Sequence, residues 1–231
     1  MPGCGGWEWA AAQGIPTARF PPAKGEPGGP GSSPQDRTAA AAAFAAALKD
    51  GRGVEFVALA GYLKVRGERE RERGERMAGG GALLNPVHPH PPSFSLILSH
   101  MLSILTLNTT TQLIPPPLVR AFPRAMLNIH PALLPGPFGG KGMYGPAVHA
   151  AVLASGARVS GATVHFVDES FDRGPILAQA AVPVRPDDTA ASLAARVLAV
   201  EHELFPDAVG ALVGGRVRWR EDGVPVMTAE R

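Results

Sequence analysis

The residues best suited to chemistry are an asparagine and a histidine at the end of one predicted strand, and an aspartate beyond another. Asn128-Ile-His130 closes the apolar segment 125–129 and runs into Pro131. Because side chains alternate along a strand, the Asn128 amide and the His130 imidazole share one side. Both groups can donate a hydrogen bond to the same oxyanion. This arrangement suits acyl-type transfer through a tetrahedral intermediate.

Asp172 follows the predicted strand 161–167, within the sequence Asp172-Arg-Gly-Pro175. Beside His130 it could keep the imidazole protonated or relay a proton. No serine or cysteine lies near Asn128-Ile-His130 in the sequence, so the attacking group would come from a substrate. Taken alone, these residue types are also typical of structural roles, as a hydrogen-bonding pair at a strand end and as a turn aspartate.

The elements that must position these side chains follow from the apolar periodicity and the turn residues. Helices and short apolar strands alternate along the chain, which indicates an α/β sheet with crossover helices. Near the start we expect a short helix at 7–13 and a strand at 17–20. The remaining predicted elements are helices at 38–48 and 116–122, strands at 54–60, 125–129, 161–167 and 175–184, and a long amphipathic helix that begins after the cap region 187–189.

Composition excludes several classes of protein. The 231 residues carry a net charge of +2, which disfavours a general nucleic-acid binder. The single cysteine, Cys4, excludes an internal disulfide and a multi-cysteine zinc site. The longest predominantly apolar segment, 94–107, is too short and too polar to span a membrane. We therefore expect neither a nucleic-acid nor a membrane partner and no metal, and the sequence leaves the oligomeric state open.

Several longer motifs follow one another along the chain. They are Asn128-Ile-His-Pro-Ala-Leu-Leu-Pro135, Val164-His-Phe-Val-Asp-Glu169 with Asp172-Arg-Gly-Pro-Ile176, Val182-Pro-Val184, Asp188-Thr189, Arg196-Val197 and Glu201-His202. In this order, and together, they resemble phosphoribosylglycinamide formyltransferase, and the plant members in particular. The similarity extends from 113 to about 226 and also includes 53–64, Cys4-Gly-Gly and Gly14-Ile-Pro16.

The resemblance implies a formyltransferase fold, a Rossmann-like open sheet with flanking helices. It implies formyl transfer from the co-substrate 10-formyltetrahydrofolate to glycinamide ribonucleotide in de novo purine (IMP) biosynthesis, without a metal. It also implies a plastid location, or a cytoplasmic one if no transit peptide is present. Position by position, the implied catalytic residues are Asn128, His130 and Asp172; the folate pocket is Leu63, Lys64, Leu113, Ile114, His165, Val167 and Asp168; and Glu201 lies near the ribose.

Two departures from the family pattern are expected to matter. The chain enters the pattern at Pro2-Gly-Cys-Gly-Gly6, so we expect the first strands and the glycine-rich phosphate loop to be missing. The 48-residue segment 65–112 separates Lys64 from Leu113, which are neighbours in the family. Arg or Glu occupies nine of the eleven positions 66–76, a composition that predicts a disordered insertion, of the kind a retained intron gives. A genuine regulatory insertion is the alternative.

The predicted organisation is therefore a truncated amino-terminal part at 1–64, the insertion at 65–112 and a carboxyl-terminal catalytic half at 113–231. Two other functions remain open. A methionyl-tRNA formyltransferase or a formyltetrahydrofolate hydrolase would share the catalytic domain, although the Glu201-His202 pair fits the purine enzyme better. An inactive product of an altered transcript is the alternative from outside the enzymes.

Overall fold

The computed structural model describes Phe20, Pro22 and residues 25–59, 114–170 and 172–228. The predicted helix at 7–13, nearly all of the predicted strand at 17–20, the segment 65–112 and the pocket residues Leu63, Lys64 and Leu113 lie outside the described residues. In chain order the elements are α1 (Pro34–Arg52), β1 (Val57–Leu59), α2 (Pro116–Ala121), β2 (Met126–His130), α3 (Pro146–Ala154), β3 (Val159–Phe166), β4 (Ile176–Pro183), α4 (Ala190–Val213), β5 (Val217–Trp219) and β6 (Pro225–Met227).

Four strands form one mixed sheet in the order β1-β2-β3-β4. β1 and β2 are parallel, whereas β2 and β3, and then β3 and β4, are antiparallel. β5 and β6 form a separate antiparallel hairpin. The sequence predicted the four strands β1 to β4, and it also predicted crossover helices between them. Within the described residues only the β1–β2 pair has the parallel arrangement that such a connection gives.

Capping residues set the bounds of the longest helices. The Ser33 hydroxyl accepts a hydrogen bond from the Asp36 N–H, Pro34 opens α1, and Gly53 ends it in the left-handed conformation with φ 62°. α1 therefore extends beyond the predicted 38–48 at both ends. Thr189 and Ser192 form a reciprocal capping box at the start of α4, as the predicted cap region required. No helix in the described ranges is long and apolar enough to cross a membrane.

The two faces of the sheet carry different helices. Val57, Leu59 and Met126 pack on one face with α1 and α2. Ala58, Leu127 and their neighbours pack on the other face, mainly with α4. Because side chains alternate along β2, those that follow Met126 point in turn to one face of the sheet and to the other. Asn128 and His130 continue the α1 and α2 face, and this is the side on which the candidate site forms.

Candidate active site

Strand register places two cross-strand pairs of polar side chains on this face. Asn128 lies opposite His165, and His130 lies opposite Thr163. Directly paired residues project to the same side of a sheet, so all four side chains share the face predicted for Asn128 and His130. His165, His130 and Thr163 are buried and Asn128 is half-buried. The sheet therefore supplies a compact polar patch in an otherwise apolar surface.

The His130 imidazole is hydrogen-bonded through one ring nitrogen and faces a carboxylate with the other. Its Nε2 lies 2.7 Å from the Phe138 carbonyl oxygen. Because a carbonyl oxygen can only accept a hydrogen bond, this nitrogen carries a proton and is the donor. Its Nδ1 faces the Asp172 carboxylate, with 3.6 Å between Nδ1 and Oδ2. In this conformation the N–H of His130 is directed at Phe138, and the opposite nitrogen is available for proton exchange with Asp172.

Asp172 reaches His130 by an unexpected path. Because β3 is antiparallel to β2, its carboxyl end lies beside the amino end of β2, where Phe166 pairs with Leu127. The segment 167–175 that follows must therefore fold back across the sheet face. There the Asp172 carboxylate accepts a 2.8 Å hydrogen bond from the Gly140 N–H, and its φ of 50° is unusual for a non-glycine residue.

The ionisation of the pair follows from its burial. Burial lowers the pKa of His130 from its ordinary 6.5, although the Asp172 charge and the Phe138 carbonyl act in the opposite direction. Burial alone would raise the pKa of Asp172. The hydrogen bond from the Gly140 N–H and the electrostatic attraction of the nearby histidines nevertheless hold it below its ordinary 3.8. At neutral pH the pair is thus a neutral imidazole beside a carboxylate, ready to accept one proton.

A glycine gives Asp172 its room. A Cβ built on Gly139 would lie 2.5 Å from Leu134 Cδ2 and 3.3 Å from the Asp172 Cβ. The first distance is shorter than real Cβ contacts. The chain at 139–140 therefore approaches Asp172 as closely as it does only because position 139 has no side chain.

A buried hydroxyl fixes the chain just after His130, and the sequence analysis missed it. Thr163 Oγ1 donates to the Ala132 carbonyl over 2.7 Å and accepts from the Leu134 N–H over 3.0 Å. Gln179 on β4 donates both to this oxygen and to the Leu134 carbonyl. This network ties the 131–135 segment, and with it the approach to Phe138, to β3 and β4. A polar residue facing inward beside His165 was the only signal in the sequence.

Three of the predicted folate-pocket residues, Ile114, Val167 and Asp168, lie in the 167–175 loop or pack on the core cluster next to it. Ile114 and Val167 are partly buried against the same core cluster, below α1 and α2. Asp168 accepts a 2.7 Å hydrogen bond from the Ser170 N–H and so shapes the turn. Its neighbour Glu169 receives a two-pronged ion pair from Arg120 of α2, with an Nε–Oε1 distance of 2.7 Å. The structure thus places Ile114 and Val167 against the same core cluster, and the ion pair fastens the 167–175 loop to α2.

Glu201 lies in the middle of α4 and stands apart from these contacts. Within the part of the chain that the structure describes, its carboxylate makes no hydrogen bond or ion pair. Burial raises its pKa from 4.5 to about 6. A half-buried carboxylate without a protein partner is available to a ligand.

Asp172 also faces an open cleft of about 800 Å³. Its walls come from the 134–140 segment, from 172–176 and from the hairpin turn at 223–225. Clefts of this size accommodate small-molecule substrates. Among the described residues no group of three histidine, cysteine or carboxylate side chains is arranged to hold a metal ion.

Comparison with known proteins gives the family. The formyl transferase family model matches residues 98–209. Phosphoribosylglycinamide formyltransferase, chloroplastic, from Arabidopsis thaliana is 43% identical over 224 residues, which are 97% of this chain and 57% of that protein. The crystal structure of phosphoribosylglycinamide formyltransferase from Brucella melitensis is 31% identical, with a TM-score of 0.56, over 94% of this chain and 79% of that one. The chain belongs to the phosphoribosylglycinamide formyltransferase family.

Membership of the phosphoribosylglycinamide formyltransferase family confirms the predicted resemblance and the predicted α/β fold class. The structure of glycinamide ribonucleotide transformylase 1 from Symbiobacterium toebii supports the fold, with a TM-score of 0.63 and 27% identity over 99% of this chain and 77% of that one. The chain spans a little over half the length of the Arabidopsis relative.

Proposed function

We propose that this protein transfers the formyl group of 10-formyltetrahydrofolate to the amine of glycinamide ribonucleotide, a step of de novo purine (IMP) biosynthesis. The observation that carries the proposal is the His130–Asp172 pair, a neutral imidazole and a carboxylate, on the same face as the Asn128 amide. In the described part of the chain no serine or cysteine hydrogen-bonds to these side chains. Family membership supports the same reaction.

The attack would proceed directly between the substrates. The amine nitrogen bonds to the formyl carbon, and the carbonyl oxygen takes up negative charge. Asn128 directs one Nδ2 hydrogen at His165 and has a second hydrogen free for that oxygen. Asn128 therefore acts as an oxyanion donor, and an imidazolium formed at His130 adds positive charge beside it.

The His130–Asp172 pair would handle the proton. The attacking amine gives up one proton, which the pair accepts between Nδ1 of His130 and Oδ2 of Asp172. The bond between the formyl carbon and folate N10 then breaks, and N10 gains one proton. The products are the formylated amine and tetrahydrofolate, and the enzyme returns to its starting protonation state.

The remaining assignments follow the family. Ile114, Val167 and Asp168 would line the folate pocket beside His165, with Leu63, Lys64 and Leu113, which lie outside the described residues. Glu201 would accept hydrogen bonds from the nucleotide ribose. No metal is proposed. We also propose a plastid location, because the Arabidopsis relative carries the description chloroplastic.

An isotope-transfer experiment tests the function. The full chain is incubated with 10-formyltetrahydrofolate carrying a 13C-labelled formyl group, with and without glycinamide ribonucleotide, and the label is followed by NMR. We expect the label to appear as formylglycinamide ribonucleotide only when the nucleotide is present. Labelled formate in both samples would indicate a hydrolase, and transfer to added methionyl-tRNA instead of the nucleotide would indicate the tRNA enzyme. Label that stays on the folate would contradict the proposal.

A further inference from the structure

His165 is a buried histidine whose contacts select one tautomer of its neutral ring. With 3% of its surface exposed, it places Nδ1 2.9 Å from the Phe166 carbonyl oxygen and Nε2 3.1 Å from the Asn128 Nδ2. A carbonyl oxygen can only accept a hydrogen bond. This contact therefore assigns the proton of a neutral ring to Nδ1 and leaves a lone pair on Nε2.

That lone pair decides which way the Asn128 amide points. An amide has a donating end and an accepting end of nearly the same shape, and only the hydrogen-bond partners select one orientation. Because Nε2 of His165 must accept, Asn128 has to present its NH2 group. The amide oxygen then points away from His165, and the second N–H of Nδ2 is left for another acceptor.

Asp172 competes weakly for the same nitrogen. Its Oδ1 lies 3.6 Å from Nε2, longer than a hydrogen bond, whereas the Asn128 contact at 3.1 Å is within range. A proton on Nε2 would favour Asp172 and would repel the NH2 of Asn128. Conversely, the amide as it stands favours the neutral ring. The two side chains therefore stabilise one tautomer and one amide orientation.

We infer that His165 is a positioning residue which holds the Asn128 amide with its N–H groups toward the oxyanion site, through a neutral ring protonated at Nδ1. This rests on the proposed formyl transfer and adds to it a role for His165 distinct from folate contact. The effect belongs to the transition state, since a carbonyl oxygen gains its charge there. Loss of His165 must therefore lower kcat more than it raises the KM for either substrate.

A double-mutant cycle separates positioning from direct action. His165→Leu removes the acceptor and is expected to lower kcat about 10- to 100-fold, as for a lost oxyanion donor, with the KM for folate changed less than about threefold. His165→Gln, whose amide oxygen can accept from Asn128, should recover most of that loss. In the Asn128→Ala background, His165→Leu should have almost no further effect. Full additivity, or a loss confined to the KM for folate, would overturn the inference.

A spectroscopic readout tests the tautomer independently of turnover. In the full chain labelled with 15N-histidine, the His165 ring, assigned by its absence from His165→Gln, should show a protonated Nδ1 and an unprotonated Nε2 at neutral pH. Asn128→Ala should perturb the Nε2 resonance. A proton on Nε2 would overturn the inference even if formyl transfer is observed. The expected tautomer in a chain without activity would contradict the proposed function alone.

Discussion

The conformation of Asp172 depends closely on its neighbours. Its φ of 50° lies in the region that non-glycine residues seldom adopt, and burial acts against its charge. The 2.8 Å hydrogen bond from the Gly140 N–H compensates for part of this cost. Such a carboxylate stays in place only while the glycine segment at 139–140 keeps its close approach.

Gly139→Ala should therefore reduce activity more than it reduces folding. The new Cβ would collide with Leu134, and Asp172 would have to move by a few tenths of an ångström. Because small displacements of reacting groups are costly, we expect kcat/KM to fall about tenfold or more. Gly51→Ala, where the Cβ meets nothing within 4 Å, is the matched control. Steady-state kinetics of both variants test this prediction. Equal activities would show that Asp172 can keep its position beside a larger residue at 139.

For the individual site residues, the sequence predicted the direction of the side chains but not their hydrogen-bond partners. Alternation placed Asn128 and His130 on one face, and the register confirms that placement. The backbone oxygen of Phe138, which holds His130, has no sequence signal of its own, and the only signal for the Thr163 hydroxyl was its place on the same side of the strand as His165. Their roles follow from how the 131–140 segment folds, which no local pattern specifies.

Among the elements, the loop at 167–175 and helix α4 each carry a carboxylate assigned to the site, Asp172 and Glu201. Arg120 fastens the loop from α2, but both partners are exposed, and such pairs contribute little to stability. α4 crosses the other face of the sheet and carries Glu201, whose pKa of about 6 reflects burial without a partner. The carboxylate thus changes charge in a range where enzymes are assayed.

Nucleotide binding should report that titration. As the pH falls below about 6, Glu201 takes up a proton and loses its capacity to accept ribose hydrogen bonds at both oxygens, so the KM for glycinamide ribonucleotide should rise. Because the substrate phosphate also titrates near this pH, the measurement is the difference between variants. Glu201→Gln should raise the KM severalfold at pH 7.5 and flatten its rise, whereas the exposed Glu203→Gln should behave as the unaltered chain. The same pH profile in both variants would remove Glu201 from the nucleotide site.

The elements differ in how visible they are in the sequence. Strong signals, such as the cap region before α4 and the apolar runs of β2 to β4, predicted the start of α4 and the bounds of these strands to within about two residues. α3 was missed because its nine residues are almost entirely apolar and show no helical periodicity, and the β5–β6 hairpin because its strands have three residues each. Strand direction was also hidden, since an antiparallel β3 reads like a parallel one.

For the molecule as a whole, buried ionisable groups couple folding to pH. Burial lowers the pKa of His130 and His149, and the nearby His130 lowers that of His149 further. In the described part of the chain His149 Nδ1 has no hydrogen-bond partner. Both rings bind a proton less readily when folded, so unfolding takes up protons. Glu201 has the opposite sign, because its folded pKa is raised.

The free energy of unfolding should accordingly fall as the pH drops through 6.5, the ordinary pKa of the two imidazoles, and continue to fall until their lowered pKa values are passed. Between pH 6 and 4.5 the protonation of Glu201 offsets part of this loss. Urea unfolding at pH 7.5 and 6.0 measures the effect. His149→Leu should make the dependence shallower, and the exposed His202→Gln should leave it unchanged. Stability that rises toward pH 6 would contradict the assignment of buried neutral rings.

Formyl transfer by the full chain and four variants tests the central claim most directly. The unaltered chain should formylate glycinamide ribonucleotide, and Asn128→Ala, His130→Ala and Asp172→Ala should each lower kcat/KM by roughly two to four orders of magnitude, as expected for lost oxyanion or proton-transfer groups. His202→Gln should retain full activity. No transfer by the unaltered chain, or rates for the three variants equal to that of His202→Gln, would contradict the account.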